Sequence, residues 1–587
     1  MPRTTLSPWT VLASACVLVV AGPAQAAKSP AARMKALADR AVALGLEEDP
    51  VSGYILGLPL PDHAHWSPRA PADIARIDAA EDSMWAELRT LDPAALTTPA
   101  LKLDHALLTE RLAVQKGLRV CRSELWNVNH MDGWQLTLAK YARFQPVGTA
   151  AERKQALKRW SALPAFVEQE IANLRRGLVA GYSAPQSVVR HVISQVNGLA
   201  TAKVEASPLA EPARRSKDAA FKAAFEAVIR DRANPALARY RDFLEQEYLP
   251  KARTALAVSA NPDGKACYDA SLRAYTTLDR KAQEVHDLGA KTVAANKADI
   301  AEMGEKLYGT RDFGQLLARV REAKDNRFAS EQELVDYSRA VVERAREASQ
   351  SLFLAMPEQE MKVEPFEDFM RGSGMSSHYE EVANPKLPAY YRINSEEWKN
   401  ESRGAAEITA VHEGYPGHHM QLAFAFTQTK TPLAQLSFNS AFAEGWGRYS
   451  ERLAEDAGVY SNDYAKIQRR AWPARGMVAD TGLHALGWSR EQTIDYLKES
   501  GRFGPAESEA LVDRMAMWPG QLTAYDSGAL EIAALREQAE AKLGNRFDLR
   551  RFHDVVLRRG NVPLKVLRDD VEAWIAAETA KATQGTR

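Results

Sequence analysis

Apolar residues recur at spacings of three and four over long stretches of this chain, and alternating Val/Ile/Thr runs are scarce. That is the periodicity of helices, because 3.6 residues per turn returns a side chain to the same face. Leu334, Tyr337, Val341, Ala345, Ala348 and Leu352 make one such face. Ahead of it, Ser330 and Glu333 form a capping-box pattern, in which hydroxyl and carboxylate satisfy N–H groups left exposed at a helix start. Pro357 marks the expected stop of that helix. Ser489 with Gln492 opens another helix that Gly501 can end, and Phe552, Val555, Val556 and Gly560 repeat the logic before a last helix with Val571 and Trp574. Leu436 to Gly458 also reads as helix, with Phe442, Trp446, Tyr449 and Leu453 on its apolar face. The predicted class is mainly α, a large helical fold with a cleft and little β structure.

No repeat of fixed period is present, which argues against a solenoid. Pro-rich stretches at 58–71, 207–212 and 385–388 read as loops, and Gly372 to Ser377 as a small polar loop beside a site. Residues 1–26 read as an export signal: Arg3, then the apolar run Val11 to Ala21, then Ala24-Gln25-Ala26 as the cleavage pattern. That run falls short of the roughly 20 residues a bilayer demands. Cys16 lies inside it without a leucine-led lipoprotein box. The expected organisation is a signal peptide (1–26), a helical scaffold (27–360) and a chemistry-bearing half (361–587), continuous with the scaffold or separate from it. The expected location is the periplasm, without stable membrane insertion.

Composition narrows the partners. Lys+Arg and Asp+Glu both total 76, so there is no basic excess to hold a nucleic acid. Hydrophobic residues at 45% with no net charge make disorder an unsuitable state for the whole chain. Once the leader is removed, Cys121 and Cys267 remain; an oxidising compartment lets them pair, and two separate buried thiols are the alternative.

The chemistry concentrates near residue 412. His412, His418 and His419, three of the twelve histidines, fall within eight positions. His412-Glu413 starts like a zinc-hydrolase helix, where an imidazole binds metal and the adjacent carboxylate activates water. The usual second histidine lies four residues on, and here that position is Pro416. A regular helix cannot rescue the motif. Six residues put His418 about 120° off the face of His412, and seven put His419 about 10.5 Å along the axis. Two nitrogens that must each sit about 2 Å from one zinc cannot be that far apart. A break at Pro416-Gly417 is therefore expected, with either His418 or His419 as the second ligand. A third ligand is available at Glu444, flanked by small and aromatic residues. Glu451 and Glu455 share its helix at spacings of seven and eleven and read as a solvated ion-pair stripe. There is no Gly-x-Ser-x-Gly elbow, phosphate loop or dinucleotide fingerprint.

His-Glu-x-x-Pro-Gly-His-His followed by Glu444-Gly-Trp resembles the bacterial family called domain of unknown function 885. Further matches are Arg475-Gly-Met-Val-Ala-Asp480-Thr-Gly-Leu-His484, Pro519-Gly-Gln521, Tyr525, Phe552-His553-Asp554 and Val562-Pro563-Leu564, and the similarity covers nearly the whole mature chain. The family in turn resembles helical zinc peptidases with a stretched His-Glu motif and a distal glutamate ligand. This resemblance implies one zinc per chain held by His412, His418 and Glu444, with Glu413 as general base. The pattern Glu-Gly-x-x-x-Tyr, matched by Glu444-Gly445 and Tyr449, favours Glu444 over Glu451. Tyr525 and His484 are candidate oxyanion donors, Arg475 a candidate receptor for a substrate carboxylate, and Tyr391, with Tyr390 and Arg392, a candidate cleft residue. Asp526-Ser527 departs from the lysine-containing segment expected after Tyr525. The implied activity is an exported zinc metallopeptidase acting on short or unfolded peptides.

Overall fold

Residues 29–585 are described by a computed structural model, apart from 368–370, 372–374, 383 and 429–430. The signal segment and much of the Gly372 to Ser377 loop thus lie outside the described residues. The rest is mainly helical, with one three-stranded sheet among the described residues. No helix among them is long and apolar enough to cross a membrane.

Local chemistry explains the helix boundaries. Ser330 accepts from the Glu333 N–H and starts the helix Glu331–Ser349, while the Glu333 carboxylate reaches back to Ala329. Leu334, Val341 and Ala345 of the anticipated face are buried. The helix stops at Ser349 rather than near Pro357; the Ser349 hydroxyl bonds back to the Ala345 carbonyl and the next residues turn tightly. Ser489 and Gln492 form the expected reciprocal cap, and Gly501 has φ +67° beyond that helix. The segment anticipated from Leu436 begins its long helix at Ser440, where Asn439 accepts from the Phe442 N–H, and runs to Asp456.

Two large cores organise these helices. One gathers residues from Met34 to Ile575, including Val341, Phe442 and Trp446, and so draws on both sides of residue 360. The other gathers residues 51–268, among them Trp160 and Tyr240, with Met517 from the C-terminal half. Within it Cys121 and Cys267 form a disulfide, their Cα atoms 4.6 Å apart across 146 residues of sequence. The sheet comprises β1 (Met361–Pro365), β2 (His378–Glu380) and β3 (Ala389–Ile393). β3 is central, parallel to β1 and antiparallel to β2, which leaves β2 at one edge beside the His412 segment.

Candidate metal centre

The helix Arg403–Glu413 carries His412 and Glu413 at its end, and a new helix, His418–Gln428, begins at His418. Between them the chain turns through Gly414 and Gly417, with a cis Tyr415–Pro416 peptide. A Cβ on Gly417 would collide with the carbonyls of His412 and Val411, so the turn needs a residue without a side chain. The helix Ser440–Asp456 braces the turn from outside: the Trp446 indole N–H and the Ser450 hydroxyl both donate to the Pro416 carbonyl, at 2.8 and 3.1 Å. The break folds the second histidine back, leaving the His412 and His418 rings 4.6 Å apart at 85°.

Glu444 meets them from the Ser440–Asp456 helix. Its Oε2 lies 3.4 Å from His412 Nε2 and 3.6 Å from His418 Nε2, and one donor atom from each of the three residues falls within 4.8 Å of the others. Two ligands each about 2.05 Å from a tetrahedral zinc are roughly 3.4 Å apart, close to the separation of Glu444 Oε2 from each imidazole nitrogen. His419 takes no part: its Nε2 bonds the Gln359 carbonyl and its Nδ1 the Tyr379 hydroxyl, and burial pushes its pKa down to about 4. Of the two histidines left open by the sequence, His418 is the one that lies with His412 and Glu444.

Behind His412 lies a carboxylate the sequence reading assigned to solvent. Glu451 is 1% exposed, and its Oε1 is 2.9 Å from His412 Nδ1. Arg448 donates to the same oxygen at 2.8 Å. A carboxylate on Nδ1 fixes the tautomer that turns Nε2 toward Glu444, the arrangement a metal-binding histidine needs. Burial acts to lower the His412 pKa, but the hydrogen bonds to Glu444 and Glu451 and the charge of Glu413 raise it to about 10. Burial acts to raise that of Glu444, but the two imidazoles hold it well below the usual carboxylate range. Glu455, by contrast, keeps the ion-pair role expected of it, with Arg469 and Arg470.

Two small residues make the geometry possible. A Cβ on Gly445 would lie 2.5 Å from backbone atoms of Gly528, so the Ser440–Asp456 and Gln521–Leu543 helices touch backbone to backbone. A Cβ on Gly447 would lie 2.5 Å from His412 Cε1 and 2.7 Å from its Nε2. The close helix contact delivers Tyr525, whose ring stacks on His412 at 6.5 Å and whose hydroxyl is 3.3 Å from Arg514. Burial and the charge of Glu444 raise the Tyr525 pKa. Glu413 accepts the Tyr379 N–H at 2.9 Å, which ties its carboxylate to the edge strand β2.

Three residues anticipated for the site lie elsewhere. His484 is 1% exposed; its Nδ1 accepts from the Val258 N–H, its Nε2 donates to the Met515 carbonyl, and burial pushes its pKa down to about 3. With both nitrogens engaged by backbone it is a neutral packing group. Arg475 is wholly buried, bonded to the Ala471 and Tyr496 carbonyls and stacked on Tyr496, so it joins helices instead of facing a substrate. Tyr391 is 2% exposed within the core under β3, which removes it from any cleft wall. His553 packs between Tyr449 and the Leu352 carbonyl.

Fold and site together define a mainly helical protein with a two-histidine, one-glutamate cluster at a broken helix. The chain belongs to the family of bacterial proteins of unknown function designated DUF885, which it matches over residues 50–571. Its fold is shared with two crystal structures. One is a "putative lipoprotein" from Colwellia psychrerythraea (22% identity, TM-score 0.83, 94% of this chain and 100% of that one). The other, of unknown function, comes from Shewanella oneidensis (19% identity, TM-score 0.76, 92% of this chain and 99% of that one). No curated protein matches the chain at a significant level.

Proposed function

We propose that this protein is an exported zinc-dependent peptidase. The observation that carries the reading is the convergence of His412, His418 and Glu444 next to Glu413. The zinc, when bound, acts as a Lewis acid that polarises a scissile carbonyl and lowers the pKa of water. Glu451 orients His412 from behind. Glu413 takes a proton from the attacking water and passes it to the leaving amine, and its anchor on β2 limits its movement between those tasks. Tyr525 supplies a hydroxyl donor to the developing oxyanion from its place against His412. The leader pattern of residues 1–26 and the Cys121–Cys267 disulfide support export to an oxidising compartment. The placement of the cluster among packed helices favours short or unfolded peptides as substrates.

The test is metal content of purified protein beside a His412→Ala/Glu444→Ala variant, with peptide cleavage by wild type and Glu413→Gln. About one zinc per chain that only the double variant loses, and turnover that Glu413→Gln abolishes while keeping its zinc, are the expected results. A folded wild type that takes up no zinc sinks the proposal. Stoichiometric zinc with no hydrolysis across a broad peptide library makes it a binding protein instead.

A further inference from the structure

A pocket of about 500 Å³ opens directly beside Glu444, and both parts of the chain build it. The C-terminal half supplies Phe438, Met517 and Trp518; the N-terminal half supplies Trp126 and Tyr275. The Cys121–Cys267 disulfide forms part of its wall, so the crosslink holds one side of the pocket in shape. Phe438 is 66% exposed at its edge, an aromatic ring left in water a few residues before the Glu444 turn of the same segment. Aromatic walls around a concave space next to the candidate centre are what a ligand pocket presents.

The charged groups of the pocket are of one sign. Asp132 and Glu444 line it, and no lysine or arginine is among its lining residues. Glu444 is a zinc ligand in the reading above, so the discrimination of this pocket rests on its aromatic walls, against which an apolar side chain buries its surface. Resting on the peptidase reading above, we propose that this pocket binds a large apolar side chain, phenylalanine- or leucine-like, of the substrate residue next to the scissile bond. The volume accommodates an aromatic side chain with room for part of its backbone.

Substrate preference tests this on the zinc-loaded full chain, after mass spectrometry has located a cleaved bond. Peptides varied on each side of that bond are expected to show, at one flanking position, kcat/KM at least 10-fold higher for Phe or Leu than for Ala. Ala274→Trp, placed to fill the pocket from its N-terminal wall, should reverse the Phe-over-Ala preference. Phe438→Ala, exposed and safe for folding, should raise KM for the Phe peptide several-fold. Equal rates for Phe and Ala, or a folded Ala274→Trp protein with the wild-type preference, overturn the proposal and leave the peptidase reading standing. Calorimetric binding of the same peptides to zinc-loaded Glu413→Gln decides the pocket independently of turnover. Phe peptides should bind at least 10-fold tighter than Ala peptides and lose that advantage with Ala274→Trp added. Absence of the difference refutes the pocket, whereas binding with no cleavage by wild type refutes only the peptidase.

Discussion

Gly447→Ala is the sharpest probe of the centre, because it displaces His412 without replacing any of the proposed ligands. The new methyl would lie 2.5 Å from His412 Cε1 and 2.9 Å from Nδ1. Ordinary contact between such atoms is about 3.5 Å, so the imidazole must retreat by about 1 Å. Zinc sites tolerate about 0.2 Å in ligand distance, and the same retreat strains the 2.9 Å bond from Nδ1 to Glu451. Loss of an orienting partner alone costs 10–100-fold in metal affinity. Zinc affinity is therefore expected to fall at least 100-fold, about 2.7 kcal/mol. The assay is chelator competition on the variant and wild type, paired with urea unfolding of both metal-free proteins. Gly445→Ala is the control two residues away, where the methyl meets Gly528 backbone and not a ligand. It should lower the unfolding midpoint more than Gly447→Ala does, since backbone yields less readily than a ring. Wild-type zinc affinity in a folded Gly447→Ala protein would refute the assigned role of His412.

The remaining predictions rest on other contacts. Glu451→Gln keeps an acceptor for His412 but removes the charge, and zinc affinity should drop by about 10–100-fold in chelator competition; an unchanged value would make Glu451 only a partner for Arg448. Replacing Cys121 and Cys267 by serine releases a loop closed across 146 residues, worth about 5 kcal/mol in the chain-entropy picture, and equal denaturation midpoints with and without the bond would contradict it. Asp480 is buried, its Oδ1 accepting from Tyr268 and Gly520 at 2.8 Å, while burial pushes its pKa up to about 7. The folded state thus holds a proton that the unfolded chain releases near pH 4, so this group lowers stability as pH rises from about 4 to 7. Asp480→Asn should match wild type in urea unfolding at pH 4 and exceed it at pH 8; a variant weaker at pH 8 would show the charged form to be favourable.

How much of this was legible depends on the range of the forces involved. Caps and apolar periodicity are local, so the helical class could be read directly, and Ser489 and Gln492 cap the helix anticipated for them. The three short strands escaped notice because five and three residues carry too little pattern, and their pairing joins segments nearly thirty residues apart. At the site, helix geometry alone demanded a break between His412 and the later histidines. It did not say which histidine the break would deliver, because that depends on Gln359 and Tyr379 engaging His419 from elsewhere.

The errors have one cause. Glu451, seven residues after Glu444, shares its face, yet whether that face meets water or His412 is set by another helix. His484, Arg475 and Tyr391 have residue types that suit catalysis, and packing consumed their polar atoms on neighbouring backbone or buried them under the sheet. The sequence by itself determined the helices, the need for a broken one at Pro416 and the donor types available nearby. Only the tertiary structure decided which donors converge, which carboxylate turns His412, and that the wall of the neighbouring pocket comes from the other end of the chain. Those outcomes depend on contacts between residues far apart in sequence, where burial and partner choice are properties of the assembled fold.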